Sequence, residues 1–191
     1  AAENNDVEAL KTLGKIYADG LGVRENLEQS VEYFQLAAKA GDAIAAAVVG
    51  QAYEQGLGVE IDYLTAAKWY KIAADKGDSN GQFGLGGLYY RGLGAVQNFS
   101  QALHSYRQAA AKGNPNAHSM IAVMFEKGQG VEKNLKKAEE WYGKAAKLNG
   151  PESAFHLAKR IQNGDGLAQS AERAAEWFLH AAERGHIPSQ T

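Results

Sequence analysis

The chain has 191 residues, with 20 Lys and Arg against 22 Asp and Glu, a formal charge of −2 and 45% hydrophobic residues. That near-neutral balance gives no general attraction for nucleic acid or anionic lipid, and no apolar run approaches the ~18 residues of a membrane-spanning helix. The absence of cysteine removes disulfide and thiolate chemistry and leaves the compartment open.

Taken in order, the chain repeats itself. Ala1-Ala2 stand in register with Ala37-Ala38, and Asn5-Asp6 with Gly41-Asp42, so the chain is expected to start inside the last helix of a preceding repeat. From about Val7 to Asp19 a helix is predicted, with Ala9, Leu13, Ile16 and Tyr17 on one stripe. A turn follows at Gly20-Leu21-Gly22, and a second helix is predicted from about Leu27 to Ala40, with Val31, Phe34, Leu36, Ala37 and Ala38 apolar. The Gly-x-Gly turn returns at Gly56, Gly92, Gly128 and Gly164, and the paired alanines at Ala73, Ala109, Ala145 and Ala181, always 36 residues apart. Such a period is the mark of an array in which each unit packs mainly on its neighbours.

The punctuation repeats too. Asn26, Asp62, Asn98, Asn134 and Ser170 belong to the residues that cap helix N-termini, which places the start of each second helix. Gly41, Gly77, Gly113 and Gly185 mark its end, with Asn149 as the one substitute. Pro115 and Pro151 are expected to open first helices, where the missing N–H costs nothing. Gly14, Gly50, Gly86, Ala122 and Ala158 in first helices, and Ser30, Ala66, Ala102, Ala138 and Ala174 in second helices, let backbones approach closely. The large partners are Phe34, Tyr70, Tyr106, Tyr142 and Phe178, with Trp69, Trp141 and Trp177 beside three of them.

The order Leu/Val-Gly-x-x-Tyr-x-x-Gly-x-Gly-Val, then Asp/Asn, Ala, Trp-Tyr, Ala-Ala and Gly, resembles the Sel1-like repeat, a relative of the tetratricopeptide repeat with a longer turn. The resemblance covers the chain as repeats of about 7–42, 43–78, 79–114, 115–150 and 151–186. It implies an all-α fold, a right-handed α-solenoid of antiparallel helix pairs with partial helices at both ends. The whole chain 1–191 is expected to be one solenoid and a fragment of a longer array. Repeat five departs most, with Ile161 in place of the first-helix aromatic and Gly166-Leu167-Ala168-Gln169 in the turn. The resemblance further implies a non-catalytic scaffold or adaptor that binds a protein or peptide on a concave face made mostly of first helices, without a cofactor. Its members include bacterial exported, envelope and secretion-associated proteins as well as eukaryotic adaptors. An alternative is therefore a regulatory or targeting region of a larger bacterial envelope protein that recognises carbohydrate or peptidoglycan.

Catalytic and metal-binding patterns do not converge. The five histidines share no repeat position, Glu176 and His180 lie four apart as an ordinary surface pair would, and Gly84-Leu85-Gly86-Gly87 lacks the Lys-Ser/Thr of a phosphate loop. Lys133, Lys136 and Lys137 stand among Glu132, Glu139 and Glu140, as on a solvated mixed-charge face.

Function is expected where the repeats differ, because the constant positions are used by packing. The first-helix stripe away from the core stripe holds Lys11, Lys15, Gln51, Glu54, Phe83, Gly87, Tyr90, Arg91, Glu126, Phe155 and Lys159, together with Ala47. Phe83 and Tyr90 are expected to flank bare backbone at Gly87 as a shallow aromatic groove, with Arg91 offered to a partner carboxylate. Apolar faces around Ala1-Ala2 and 180–187 suggest end-to-end self-association.

Overall fold

The structure is a computed structural model and describes residues 6–149 and 151–183. Ten helices follow one another and no strand occurs among the described residues: α1 Val7–Asp19, α2 Leu27–Lys39, α3 Ala43–Gln55, α4 Tyr63–Asp75, α5 Ser79–Arg91, α6 Phe99–Ala111, α7 Pro115–Lys127, α8 Leu135–Asn149, α9 Pro151–Asn163 and α10 Ala171–Glu183. Odd-numbered helices are the A helices of the repeats and even-numbered ones the B helices.

Local chemistry sets these limits. All five expected B-helix caps act as caps. Asn26, Asp62, Asn98, Asn134 and Ser170 each accept a first-turn backbone N–H, from Gln29 at 3.0 Å to Arg173 at 3.3 Å. Their own N–H groups bond back to Tyr17, Tyr53, Tyr89 and Phe125 carbonyls at 2.8–2.9 Å, which fixes the B helix to the end of the A helix. In repeat five the same bond, Ser170 to Ile161, stretches to 3.4 Å. Its A helix still packs, with Ala154, Leu157, Ala158 and Ile161 all buried.

Asn149 differs from the expectation. It does not adopt a left-handed conformation to end the helix. No non-glycine residue among those described has positive φ, and α8 runs through Asn149 to 15 residues where the other helices have 13. Asparagine carries a Cβ that makes the left-handed turn costly, so the helix continues.

Within the first three repeats the B-helix ring lies on the A-helix backbone. A Cβ placed on Gly14, Gly50 or Gly86 would come within 2.8, 2.7 and 2.8 Å of Phe34, Tyr70 and Tyr106. The next repeat approaches the same ring, because a Cβ on Gly84 would sit 2.5 Å from Tyr70. Gly81 is equally constrained, with the Ala73 Cβ 2.4 Å from where its own Cβ would be. Three of the four glycines of α5 are thus required by packing, where the sequence pattern accounted for Gly86 alone. Successive repeats also meet through the turn. Gly58 has φ +72° and leaves room for the first turn of α2, since a Cβ would fall 2.3 Å from the Leu27 carbonyl carbon.

The small positions Ser30, Ala66, Ala102, Ala138 and Ala174 are all buried. The tryptophans are only half-buried. In repeat one Ala9 and Leu13 are exposed, whereas their counterparts Ala45 and Val49 are buried by the preceding helix pair. Leu36 is exposed because it falls off the stripe of Val31, Phe34, Ala37 and Ala38. Ala47 belongs to the core and not to the open stripe, in a cluster with Phe34, Val49 and Ala73.

The chain divides into two compact units, Ala1–Ala109 and Ala110–Thr191. Ala1-Ala2 and residues 184–187, expected to expose apolar ends, lie outside the described residues.

Replacing Gly50 by Leu forces a side chain into the Tyr70 ring and is expected to destabilise the protein by roughly 1–3 kcal/mol. Trp141→Ala, which removes a half-buried indole tilted against His118 with ring centroids 5.4 Å apart, is expected to cost about 2 kcal/mol. Thermal melting followed by circular dichroism reads both, as a fall in Tm.

Candidate binding face of the A helices

In the first unit α1, α3 and α5 carry Lys11, Lys15, Gln51, Glu54, Phe83, Gly87, Tyr90 and Arg91. Lys15 and Gln51 are exposed. Lys11 is already engaged: its Nζ lies 2.6 Å from Glu8 Oε1 and 3.0 Å from Asp42 Oδ2, with only 15% of the side chain exposed. Asp42 caps α3 through the Ala45 N–H at 2.6 Å, so Lys11 ties α1 to the first turn of α3. The hydrogen bonds that Lys11 donates to Glu8 and Asp42 raise its ammonium above the usual range. Burial works to raise the Asp42 carboxyl, but the Ala45 N–H and Lys11 outweigh it, and the group titrates below the ordinary carboxylate range.

Glu54 sits at the centre of a second tie. The Tyr70 hydroxyl donates to its Oε2 at 2.6 Å, and the Arg91 guanidinium pairs with its Oε1. These residues come from α3, α4 and α5, so the carboxylate joins two successive repeats. Arg91 also donates from Nε to the Gly87 carbonyl at 3.1 Å, which lays its side chain over the bare backbone there. Burial, reinforced by the bond to Glu54, holds the Tyr70 hydroxyl far above its usual titration range. Phe83 packs on Tyr106 with ring centroids 5.5 Å apart, and Tyr90 meets Phe99 edge-on at 5.5 Å. Both rings are half-buried, taking part in packing while remaining partly exposed.

The second unit repeats the tie 72 residues on. The Tyr142 hydroxyl donates to Glu126 Oε2 at 2.7 Å, and Arg160 Nη2 donates to the same oxygen at 2.8 Å. Arg160 covers the Tyr142 ring at 4.5 Å from its centroid. Burial pushes the Tyr142 hydroxyl up to about 12. Phe155 contacts Phe178 edge-on at 5.4 Å, and the exposed Lys159 places Nζ 5.2 Å from the Phe155 centroid.

A carboxylate accompanies Tyr70 and Tyr142, whereas Tyr106 of repeat three has Tyr90 at that register. Where the ring is Phe34 or Phe178, the Glu54 position holds Ala18 or Gln162. Across all five units the same framework recurs, and the Sel1 repeat model matches residues 7–42, 43–78, 79–114, 115–150 and 151–186. The chain belongs to the Sel1 repeat family.

Among solved structures, a Sel1 repeat protein from Oxalobacter formigenes is 31% identical with a TM-score of 0.79, covering 96% of this chain and 75% of that one. The protective antigen c5321 of uropathogenic Escherichia coli, with an SLR fold, is also 31% identical, with a TM-score of 0.84. The match covers 97% of this chain and 40% of that protein, so the Sel1 array here spans well under half of its length. The immunity protein Pa5087 of Pseudomonas aeruginosa, 17% identical with a TM-score of 0.60 over 95% of this chain and 67% of that one, shares the fold. No curated protein matches. The fold is thus an all-α solenoid of Sel1 repeats, and Sel1 repeat proteins are generally protein-interaction scaffolds, typically without catalysis.

Sequence reasoning reached Glu54, Arg91 and Glu126 as open side chains and missed the ties that hold them. The pairing of Glu54 with Tyr70 and of Glu126 with Tyr142 was readable from the period. Arg160 was not, because it stands one turn earlier in its Sel1 repeat than Arg91 does. Asp42 had a signal, since Asp6, Asp42, Asp78 and Asn114 share one register and all cap A helices.

Two outcomes follow for the ties. Tyr70→Phe removes the donor to a carboxylate that is 16% exposed, and is expected to lower stability by about 1–2 kcal/mol, seen as a lower Tm at pH 7. For Asp42, whose folded value is depressed, the stabilisation is complete above about pH 4 and is lost as pH falls through the lowered value. Lys11→Met should therefore reduce Tm at pH 6 and bring the acid-side decline to higher pH, as a melting series from pH 6 to pH 2 would read.

Proposed function

We propose that this Sel1 repeat chain is a non-catalytic scaffold that takes a protein or peptide partner on the faces of its A helices. The reading rests on the division of labour between positions. The residues that recur are consumed by caps and packing, while several non-recurring A-helix side chains stay exposed: Lys15, Gln51 and Gln55 in the first unit, Lys127, Lys159 and Gln162 in the second. Family membership supports the same reading at the level of the class.

The half-buried rings supply the apolar part of such a face. Phe83, Gly87 and Tyr90 form a short strip along α5, and Arg91 at its end is held by Glu54. A partner carboxylate would draw Arg91 away from Glu54 by exchange and not by filling an empty position. The Tyr70 bond would then keep Glu54 partnered, so the exchange leaves no buried carboxylate without a donor. In the second unit the Glu126–Arg160 pair with Tyr142, and the Phe155–Lys159 pair, offer an analogous mixture of ring and charge.

Selection of random twelve-residue peptides against the immobilised chain tests this proposal. Peptides that bind wild type are expected to lose about tenfold or more in affinity to at least one of Lys15→Glu, Gln51→Arg and Lys159→Glu, all exposed and outside the core. Full binding by all three variants, with melting temperatures unchanged, would remove the A-helix faces as the site. Binding of soluble peptidoglycan fragments by the same residues, with no peptide recovered, would favour the carbohydrate-recognising alternative.

A further inference from the structure

The B helices of repeats four and five carry a cleft that the A-helix reading does not use. It has a volume of about 450 Å³ and is lined by Lys136, Glu139, Glu140, Gly143, Lys144, Lys147, Arg173 and Trp177. Volumes of about 300–1,000 Å³ are typical of sites for small ligands or single side chains of a partner.

Two departures from the repeat create it. At the register of Gly143 the earlier repeats hold Gln35, Lys71 and Arg107, long side chains that would occupy this space. Glycine removes them and lets the indole of Trp177 lie against the α8 backbone, where a Cβ on Gly143 would come 2.6 Å from the ring. The second departure is charge. At the registers of Lys136 and Lys144 other repeats have Glu28, Leu64, Ser100 and Glu172, or Leu36, Ile72, Gln108 and His180. Repeat four alone brings lysine to both.

The four cations of the lining outnumber its two carboxylates, Glu139 and Glu140. Glu139 is 13% exposed and held by Arg173, whose Nη2 also donates to the Ala168 carbonyl at 2.9 Å. The pair thus forms a fixed wall joining α8 to the turn before α10. Lys144 Nζ lies 4.1 Å from the centroid of Trp141, over the indole face. An exposed contact of this kind is weak enough to be exchanged for a carboxylate. What remains toward solvent is a basic rim over an indole floor, on a chain whose formal charge is −2.

We propose that this cleft is a second docking site, for an acidic peptide segment of a partner protein that sets an apolar or aromatic side chain on Trp177 and carboxylates on Lys136 and Lys144. Charge complementarity selects this occupant: an apolar partner would leave the lysines over it desolvated and unpaired, and a basic one would face four cations against two carboxylates. The site lies on α8 and α10 and does not depend on the A-helix reading.

Fluorescence anisotropy on the full chain tests it, with labelled Glu-Glu-X-Glu-Glu peptides (X being Leu, Phe, Tyr or Trp) and Lys-Lys-X-Lys-Lys peptides as controls. The acidic set is expected to bind, with affinity rising for aromatic X and falling as salt is raised. The double variant Lys136→Glu with Lys144→Glu should weaken it at least about tenfold. Gly143→Gln, which refills the cleft, should do the same, and Lys68→Glu on α4 should leave it unchanged. Because Gly143→Gln also disturbs Trp177, the lysine variants, exposed and outside the core, decide the matter if that protein melts early. No binding of any acidic peptide at 1 mM, equal binding of the lysine peptides, or binding indifferent to the lysine variants would each overturn the site. Equal capture of heparin and phosphatidylserine vesicles through these lysines, without preference for aromatic X, would overturn the peptide assignment in favour of a general polyanion surface.

Discussion

An aromatic ring on a side-chain-free backbone is the contact on which this Sel1 array depends. Tyr70 shows why: it is buried, and it packs against both Gly50 of its own repeat and Gly84 of the next. A ring in that position sets both the distance between the helices of a pair and the distance to the following pair. The contact demands glycine or alanine at fixed registers, so the composition of the A helices follows from it. It also explains how α5 tolerates three of its four glycines, each of which weakens an isolated helix by about 0.5–1 kcal/mol. Gly81, Gly84 and Gly86 return that loss as close packing, through contacts that any side chain would prevent.

A polar layer is added to this apolar joint. The Tyr70 and Tyr142 hydroxyls reach past the packed ring to a carboxylate, Glu54 or Glu126, which is held in turn by an arginine of the next A helix. Each carboxylate is half-buried and satisfied by donors from two neighbouring helices. Removing one donor therefore affects the junction between repeats more than the repeat itself. Lys11 and Asp42 do comparable work at the α1–α3 junction by a different chemistry, with a helix cap serving also as an ion-pair partner. In an array held by nearest-neighbour contacts, such junction terms decide how far a local opening spreads.

Much of the fold was legible in the sequence because it is set by local backbone chemistry. The capping residues Asn26, Asp62, Asn98, Asn134 and Ser170, the helix limits and the proline starts of α7 and α9 are each determined within a few residues. Asn149 marks the limit of that reasoning, since its register suggested a helix end while its Cβ let α8 continue. The open face was less legible. Lys11 and Asp42 are 31 residues apart, and Glu54 and Arg91 are 37 apart, so their pairing depends on how one repeat seats on the next. Periodicity identifies equivalent positions, but the Glu126 junction takes its arginine from a different turn. A reading by register alone passes over Arg160.

The same logic bears on where recognition can reside. A side chain on a repeat surface is used by the array when a neighbouring repeat offers it a partner, and is left for other molecules when the neighbour does not. On the A helices of the first unit, Lys11 and Arg91 fall in the first class, while Lys15 and Gln51 are exposed. On α8 the loss of a side chain at Gly143 matters as much as the gain of lysines, because the cations act over a cleft only if nothing fills it. Charge counts along the sequence miss this, for Glu139 and Glu140 balance Lys136 and Lys137 on paper. Arg173, 34 residues downstream, takes up Glu139 and alters the balance on the surface. The electrostatic character of a Sel1 repeat is therefore a property of the junction it makes with its neighbour and not of its own residues alone.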